Sequence, residues 1–129
     1  MNEYDNMLKD IGVSREQVDK VTKSGKVVEF DSCMYSKRES DIHGLGVFAK
    51  KDIKQKQVIG LATIDNVIKT TLGRFTNHSD NNNARFYQLK NKDLVLVAEL
   101  DISEGEEILV DYRDHTLNEK YLWKVYTDL

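Results

Sequence analysis

Short apolar runs, separated by Gly, Asn and Asp, follow one another along most of the chain. Runs of this kind predict strands, and thus a mainly β fold with short helices. The predicted strands cover residues 27–30, 46–49, 58–64, 85–89, 94–98 and 108–110. The run 94–98 is apolar without alternation, which predicts a strand covered on both faces at the centre of the core.

Both ends of the chain carry helix signals. Ser14 and Gln17 have the spacing of a capping box, so residues 1–26 predict an N-terminal helical extension. This extension either covers an edge of the core or binds a partner. The remaining residues, 27–129, form one predicted domain, which a second capping box closes with a helix over 116–127.

The overall charge gives no reason to expect a nucleic acid or a membrane as partner. Twenty-two acidic and nineteen basic side chains leave a net charge of −3 on 129 residues. The local run of lysines between 50 and 56 contains no aromatic residue and is typical of a solvated face. No apolar stretch has the length of a spanning helix, and the first residues lack a secretory pattern, so we expect a cytoplasmic protein.

Metal and disulfide chemistry are not expected. Cys33 is the single cysteine, which excludes a disulfide within the chain and a zinc cluster of several cysteines. The three histidines show no metal-ligand spacing.

A glycine-rich segment opens the second predicted strand. Gly44 and Gly46 flank Leu45, so the backbone can adopt positive φ and approach another group closely. The pattern is typical of a turn that enters a strand, and equally of a loop that binds a ligand through its main chain.

Asn77 and His78 lie in a polar segment between strands. Alone, the pair predicts a loop whose side chains cap turns and satisfy buried backbone groups. Farther along, Ile108, Val110 and Tyr112 have the same parity, so an extended strand would point Tyr112 towards the apolar interior. A core tyrosine with a hydrogen-bonded hydroxyl is the simplest interpretation.

Taken together and in this order, segments 43–49, 74–79 and 104–112 resemble the signature of the SET-domain family of protein lysine methyltransferases. The resemblance implies a SET-like fold of several small sheets with a pseudoknot-like crossing near the C-terminus. It also implies S-adenosylmethionine as cofactor and, as substrate, a protein with an accessible lysine.

The resemblance assigns roles to particular residues. Tyr112 matches the catalytic tyrosine, and Phe75 and Tyr121 would join it in lining the lysine channel. The implied cofactor-binding residues are His43, Gly44, Leu45, Gly46, Arg74, Phe75, Asn77, His78, Tyr112 and Trp123.

The chemistry explains why such a site needs aromatic walls. Methyl transfer from a sulfonium requires a neutral amine, an aligned S–CH3–N axis and exclusion of water. An apolar channel beside a positive sulfur disfavours the ammonium form of lysine, whose reference pKa is about 10.4. A tyrosine hydroxyl can then orient the amine.

The chain departs from the family pattern at two places. Asp80 and Asn82 stand where the family has a cysteine and a proline, and the insert that usually forms one wall of the peptide groove is reduced to residues 65–72. Either the chain is a minimal enzyme whose groove is open or completed by a second subunit or the substrate, or it is a non-catalytic SET-like interaction module. It is most similar to the stand-alone SET proteins of large viruses, phages and some bacteria, which can form dimers; a viral protein would act in the host cytoplasm.

Overall fold

A central apolar strand organises the sheet. Strand β7 (Leu94–Ala98) pairs antiparallel with β3 (Val58–Ile64) on one side and with β6 (Ala84–Gln88) on the other. Its successive side chains enter two different hydrophobic clusters, one on each face of the sheet. The predicted central strand, covered on both faces, is confirmed.

The computed structural model describes residues 3–22, 30, 32–65, 68–113 and 117–118. Within these ranges the chain forms three helices and nine strands. The remaining elements, besides β3, β6 and β7, are α1 (Glu3–Asp10), α2 (Arg15–Thr22), β1 (Tyr35–Glu39), β2 (Leu45–Ala49), β4 (Ile68–Lys69), α3 (Thr71–Phe75), β5 (Asn77–His78), β8 (Leu109–Val110) and β9 (Leu117–Asn118).

The strands form two sheets. β1 and β2 make an antiparallel pair, and the larger sheet has the order β4-β3-β7-β6-β8-β5, with β9 also paired to β6. β8 lies between β6 and β5 and runs parallel to both. A late strand thus inserts between two earlier ones, which is the crossing predicted for the C-terminal part. The mainly β fold with short helices is confirmed.

The predicted strand boundaries agree closely with the structure where apolar runs are long. β3 and β7 have the predicted limits. β2 and β8 differ from theirs by one residue at the start, and β6 begins and ends one residue earlier than predicted. Four strands, β1, β4, β5 and β9, were not predicted; three of these are two-residue pairings that leave no pattern of alternation.

Two predicted elements fall partly on residues outside the described ranges. Residues 27–29 of the first predicted strand lie there, as does most of the predicted helix 116–127. Its described part corrects the prediction, because Leu117–Asn118 pairs as a strand with Tyr87 and Gln88 of β6. Tertiary pairing here prevails over a local helix signal.

The N-terminal helices pack on one face of the sheet. The predicted capping box is confirmed: the Ser14 hydroxyl accepts from the Gln17 N–H at 3.0 Å, and the Gln17 side chain accepts from the Ser14 N–H at 2.8 Å. Neither helix, nor any other in the described part of the chain, is long and apolar enough to cross a membrane. The cluster they form with the sheet, called the helix-side core, comprises Tyr4, Met7, Leu8, Ile11, Val13, Val18, Phe30, Val58, Leu61, Ile64, Ile68, Leu89, Val95 and Val97.

The opposite face of the sheet carries a second cluster, called the site-side core. It consists of Met34, Tyr35, Val47, Ala49, Ile53, Ile59, Leu72, Ala84, Leu96, Ala98, Ile102, Ile108 and Val110, with Phe75 and Phe86 packed against it. This cluster joins β2 and α3 to the sheet beside β8, and these three elements, together with β5, carry the three sequence motifs.

A buried polar pair fastens α1 to the sheet. The Tyr4 hydroxyl donates to Asp93 Oδ2 at 2.5 Å, and the Asp65 N–H donates to Asp93 Oδ1 at 2.8 Å. Burial raises the pKa of the Asp93 carboxyl, whereas the Tyr4 hydrogen bond acts against that rise. The first helix and the β3–β4 turn thereby share one carboxylate.

Helix α3 is pressed against β3 at a glycine. The Thr70 hydroxyl accepts from the Gly73 N–H at 3.1 Å and donates to Leu61 O at 2.6 Å, so the helix start is bonded directly to the strand. A Cβ at Gly73 would lie 2.1 Å from Ala62 O. Only a residue without a side chain allows this approach.

Gly73→Ala should therefore destabilise the protein by about 1–3 kcal/mol, the usual cost of overpacking, although alanine is the better helix former. Urea unfolding measures the effect, with Lys69→Ala as a control because Lys69 is exposed on β4. A stabilised Gly73→Ala variant would contradict the close contact between α3 and β3.

Tyr4→Phe should cost more stability at pH 7 than at pH 4. The raised pKa of Asp93 means that the folded state gains stability as pH falls and the carboxyl becomes protonated. Removing the Tyr4 donor penalises the ionised form most, by about 1.5–3 kcal/mol, and the penalty shrinks on acidification. Denaturant unfolding at the two pH values tests this, and an equal cost at both would contradict it.

Candidate active site

The three sequence motifs meet at the edge of the site-side core. β5 pairs with β8 in the register Asn77↔Leu109 and His78↔Val110. On the other side Phe48 of β2 bridges to Glu107, with the Ile108 N–H donating to Val47 O at 2.8 Å. Segments that are far apart in sequence are thus joined by main-chain hydrogen bonds.

Asn77 connects the second motif to the first through its side chain. Its Nδ2 atom donates to His43 O at 3.1 Å, to Leu45 O at 3.2 Å and to Glu107 Oε2 at 2.9 Å. All three neighbours are acceptors, so the orientation of the amide is unambiguous. The amide has two N–H donors and three acceptors around it, so these acceptors can receive further hydrogen bonds.

The glycine segment forms a tight loop over this amide. The Ser40 N–H donates to Gly44 O at 2.8 Å, and Gly44 has a φ of +47°, which favours glycine. His43 and Leu45 are exposed, and it is their carbonyl oxygens that turn towards Asn77. The loop therefore gathers main-chain acceptors around the Asn77 amide.

His78 links the second motif to the third. The Tyr112 N–H donates to His78 Nδ1 at 3.0 Å, so a neutral His78 carries its proton on Nε2. The rings of His78 and Tyr112 lie 5.1 Å apart and are tilted. Asp111 Oδ1 is 3.7 Å from Nδ1, too far for a hydrogen bond.

The parity of Tyr112 predicted a side chain directed into the core, and this prediction is wrong. Ile108 and Val110 are buried, but β8 ends at Val110 and Tyr112 is 64% exposed. The reason is a turn at Asp111, whose Oδ1 accepts from the Arg113 N–H at 2.9 Å and breaks the strand alternation. The Tyr112 hydroxyl donates to Thr76 O at 2.7 Å, which fixes it beside the residue that precedes Asn77.

Asp111 holds this turn as an anion. Hydrogen bonds from the guanidinium and N–H of Arg113 lower the pKa of Asp111 to about 2. The carboxylate is ionised at neutral pH and accepts the hydrogen bonds of Arg113 that form the turn.

Arg74 and Phe75 lie next to the Tyr112 anchor. Phe75 is half-buried against the site-side core, and Arg74 is exposed with its guanidinium carbon 5.5 Å from the Phe75 ring centre. Lys37 Nζ lies 4.9 Å from the same ring. This places two cations near the site, of which the sequence analysis had identified only Arg74.

Sequence reasoning also missed several residues that hold the motifs together. Asn83 donates to Glu107 O at 2.9 Å and accepts from the Leu109 N–H at 2.8 Å, so its side chain acts as an extra piece of strand beside β8. Ser40 and Glu107 hydrogen-bond each other across the loop. The asparagine run 81–83 was a visible signal for Asn83, but nothing distinguishes it from its neighbours in the sequence.

The two remaining candidates, Tyr121 and Trp123, lie outside the described residues. Among the residues that are described, no group of three His, Cys, Asp or Glu side chains has the arrangement of a metal site. The site therefore offers surplus acceptors at Asn77, cations at Arg74 and Lys37, and a tyrosine hydroxyl. Such a set suits a zwitterionic ligand, whose positive group would face the acceptors and whose negative group would face the cations.

Comparisons with known proteins agree with this fold. The family model described as SET domain matches residues 61–113, which include α3, β5 and β8. A crystal structure of a candidate histone methyltransferase from Plasmodium falciparum matches with 22% sequence identity and a TM-score of 0.51, over 64% of this chain and 95% of that one. At this identity the similarity is one of fold, and the predicted SET-like architecture is confirmed.

A second similar structure is a humanized mutant of the Chaetomium thermophilum Polycomb Repressive Complex 2 bound to an inhibitor. The identity is 22% and the TM-score 0.46, over 70% of this chain and 16% of that chain. No curated protein sequence matches the chain.

Asn83→Ala should lower the free energy of unfolding by about 2–3 kcal/mol, because it leaves a carbonyl and an N–H of the β8 segment without their partner. Asn81→Ala is the matched control, since Asn81 is exposed in the same asparagine run and should change stability by less than about 0.5 kcal/mol. Equal effects in urea unfolding would show that the Asn83 side chain does not hold β8.

Proposed function

We propose that the chain is a SET-family methyltransferase that transfers a methyl group from S-adenosylmethionine to a lysine side chain of a protein. The observation that carries the proposal is the pairing of β5 with β8, which joins Asn77, His78 and Tyr112 in one site beside the glycine loop. The SET-domain match over 61–113 supports the same conclusion, because it spans the second and third motifs.

The side chains present fit the cofactor. Its methionine end carries an ammonium group, which suits the spare acceptor capacity of His43 O, Leu45 O and Glu107 beside Asn77. Its carboxylate suits a cation, and Arg74 and Lys37 supply two. When bound, S-adenosylmethionine supplies an electrophilic methyl group on a positively charged sulfur.

Tyr112 has the chemistry needed to orient an amine. Its hydroxyl proton is engaged by Thr76 O at 2.7 Å, which leaves the oxygen lone pairs able to accept from an N–H of a neutral lysine. The hydroxyl thus acts by position and polarity rather than as a strong base. Loss of the lysine proton follows from desolvation and from the adjacent positive charge.

Exclusion of water has to involve more than the residues described. Tyr112 is 64% exposed and Leu45 39%, so these parts of the chain leave the site open. We propose that Tyr121 and Trp123, the bound substrate protein and a second copy of the chain supply the cover. The half-buried Phe75 provides one wall of the lysine channel in this proposal.

The protein in this proposal acts in the cytoplasm, and its SET-like domain resembles the minimal ones of large viruses, phages and some bacteria. Its substrate is a protein with an accessible lysine. The short segment 65–72 in place of a long insert supports a groove completed by the substrate or by a dimer partner.

The proposal predicts that S-adenosylmethionine binds in calorimetry and that its labelled methyl group is transferred to lysine in a mixture of basic proteins. Tyr112→Phe should reduce the transfer rate by about 100- to 1000-fold, since it removes one preorganised polar group. Cofactor affinity should fall far less than the rate, because the substitution keeps the aromatic ring and the main chain of residue 112. Tyr87→Phe, a tyrosine of β6 packed against the helix-side core, is the matched control and should retain activity.

Absence of cofactor binding at millimolar concentration would rule out the enzyme. A stable partner recovered without methyl transfer would instead support the non-catalytic interaction module.

A further inference from the structure

The Glu107 side chain joins two motifs from within the third. Its carboxylate accepts the Ser40 hydroxyl at 2.8 and 2.9 Å and the Asn77 amide at 2.9 Å. Its main chain meanwhile bridges to Phe48 of β2. One residue is therefore in contact with the glycine loop, its following strand and the Asn77 segment.

Ser40 connects Glu107 to the loop through hydrogen bonds to Ile42 and Gly44. Its N–H donates to Gly44 O at 2.8 Å, and its hydroxyl oxygen accepts from the Ile42 N–H at 3.0 Å. Because the hydroxyl proton is given to Glu107, the carboxylate fixes the rotamer in which Ser40 accepts from Ile42. The fold of residues 40–44 thus depends on a side chain more than sixty residues away.

Gly46 is shaped to admit the carboxylate. A Cβ at this position would lie 2.3 Å from Glu107 Oε2 and 3.0 Å from Glu107 Cδ. Gly46 does not have a positive φ, so conformational freedom is not what requires glycine here. The two glycines of the loop have different tasks: Gly44 allows the turn, and Gly46 leaves room for Glu107.

The Glu107 carboxylate has no cationic partner among the described residues, where its hydrogen-bond donors are the neutral groups of Ser40 and Asn77. Hydrogen bonds to an ionised acceptor are roughly twice as strong as those between neutral groups. A half-buried anion therefore organises the neutral dipoles around it and keeps the main-chain acceptors of the loop in place.

We propose that Glu107 is a positioning residue for the cofactor-binding loop, holding residues 40–46 and Asn77 in one arrangement through its carboxylate. The inference rests on the proposed function for the identity of the ligand. The arrangement of the loop itself is independent of that function and can be measured without a ligand.

The test compares Glu107→Ala with Glu104→Gln, a control at an exposed carboxylate in the same segment. Amide hydrogen exchange on the free protein should accelerate by about tenfold or more for the N–H groups of Ser40 and Ile42 in Glu107→Ala, while β3 and β7 keep their protection. Unchanged exchange at Ser40 and Ile42, or an equal loss of protection in the sheet, would overturn the proposal.

A ligand-affinity measurement separates positioning from general stability. The affinity for S-adenosylhomocysteine should fall by about tenfold in Glu107→Ala and stay unchanged in Glu104→Gln; an unchanged affinity in Glu107→Ala would overturn the positioning role. If the wild-type protein binds no S-adenosylhomocysteine, the proposed function fails, and the exchange data still decide whether Glu107 holds the loop.

A double-mutant cycle tests the matched shapes of Gly46 and Glu107. Gly46→Ala should destabilise the wild-type protein and cost much less in the Glu107→Ala background, because the clash with the carboxylate is gone and only the 3.0 Å approach to Ser40 Cβ remains. Additive effects in urea unfolding would overturn the assignment of Gly46 as the space for Glu107.

Discussion

The insertion of β8 between β5 and β6 is the constraint on which the site depends. β8 is only two residues long, yet it pairs in parallel with strands on both sides and is supported by the Asn83 side chain. Without this insertion, Asn77 would lose Glu107, and Tyr112 would lose both His78 and Thr76. A change that destabilises the crossing therefore also changes the geometry of the site.

Polar side chains complete what these short strands cannot supply. Two-residue strands make few main-chain hydrogen bonds, so Asn77, Asn83 and Ser40 add bonds that ladders would provide in a longer sheet. The arrangement is therefore sensitive to single substitutions, since each of these side chains has several hydrogen-bond partners at once. Apolar packing in the site-side core holds the same elements together.

The long apolar runs could be predicted from the sequence, whereas the short pairings could not. β3 and β7 have clear limits because strands that are buried on both faces consist mostly of apolar residues. The site residues Asn77 and Tyr112 were found through their resemblance to a family motif. The contacts that position them were not, because a bond such as that between Ser40 and Glu107 leaves no local pattern. The exposure of Tyr112 was missed for a related reason: Asp111 ends the strand through its own side chain.

The order in which the chain can assemble follows from the place of β8. The hairpin of β6 and β7 is local in sequence, whereas β8 pairs with β5 in the register Asn77↔Leu109, across a much longer stretch of chain. Closing a loop of that length costs more chain entropy than closing the hairpin, so we expect the β8 pairing to form after the hairpin. The candidate site is therefore joined by a short, non-local pairing, so we expect that pairing to open before the central sheet does.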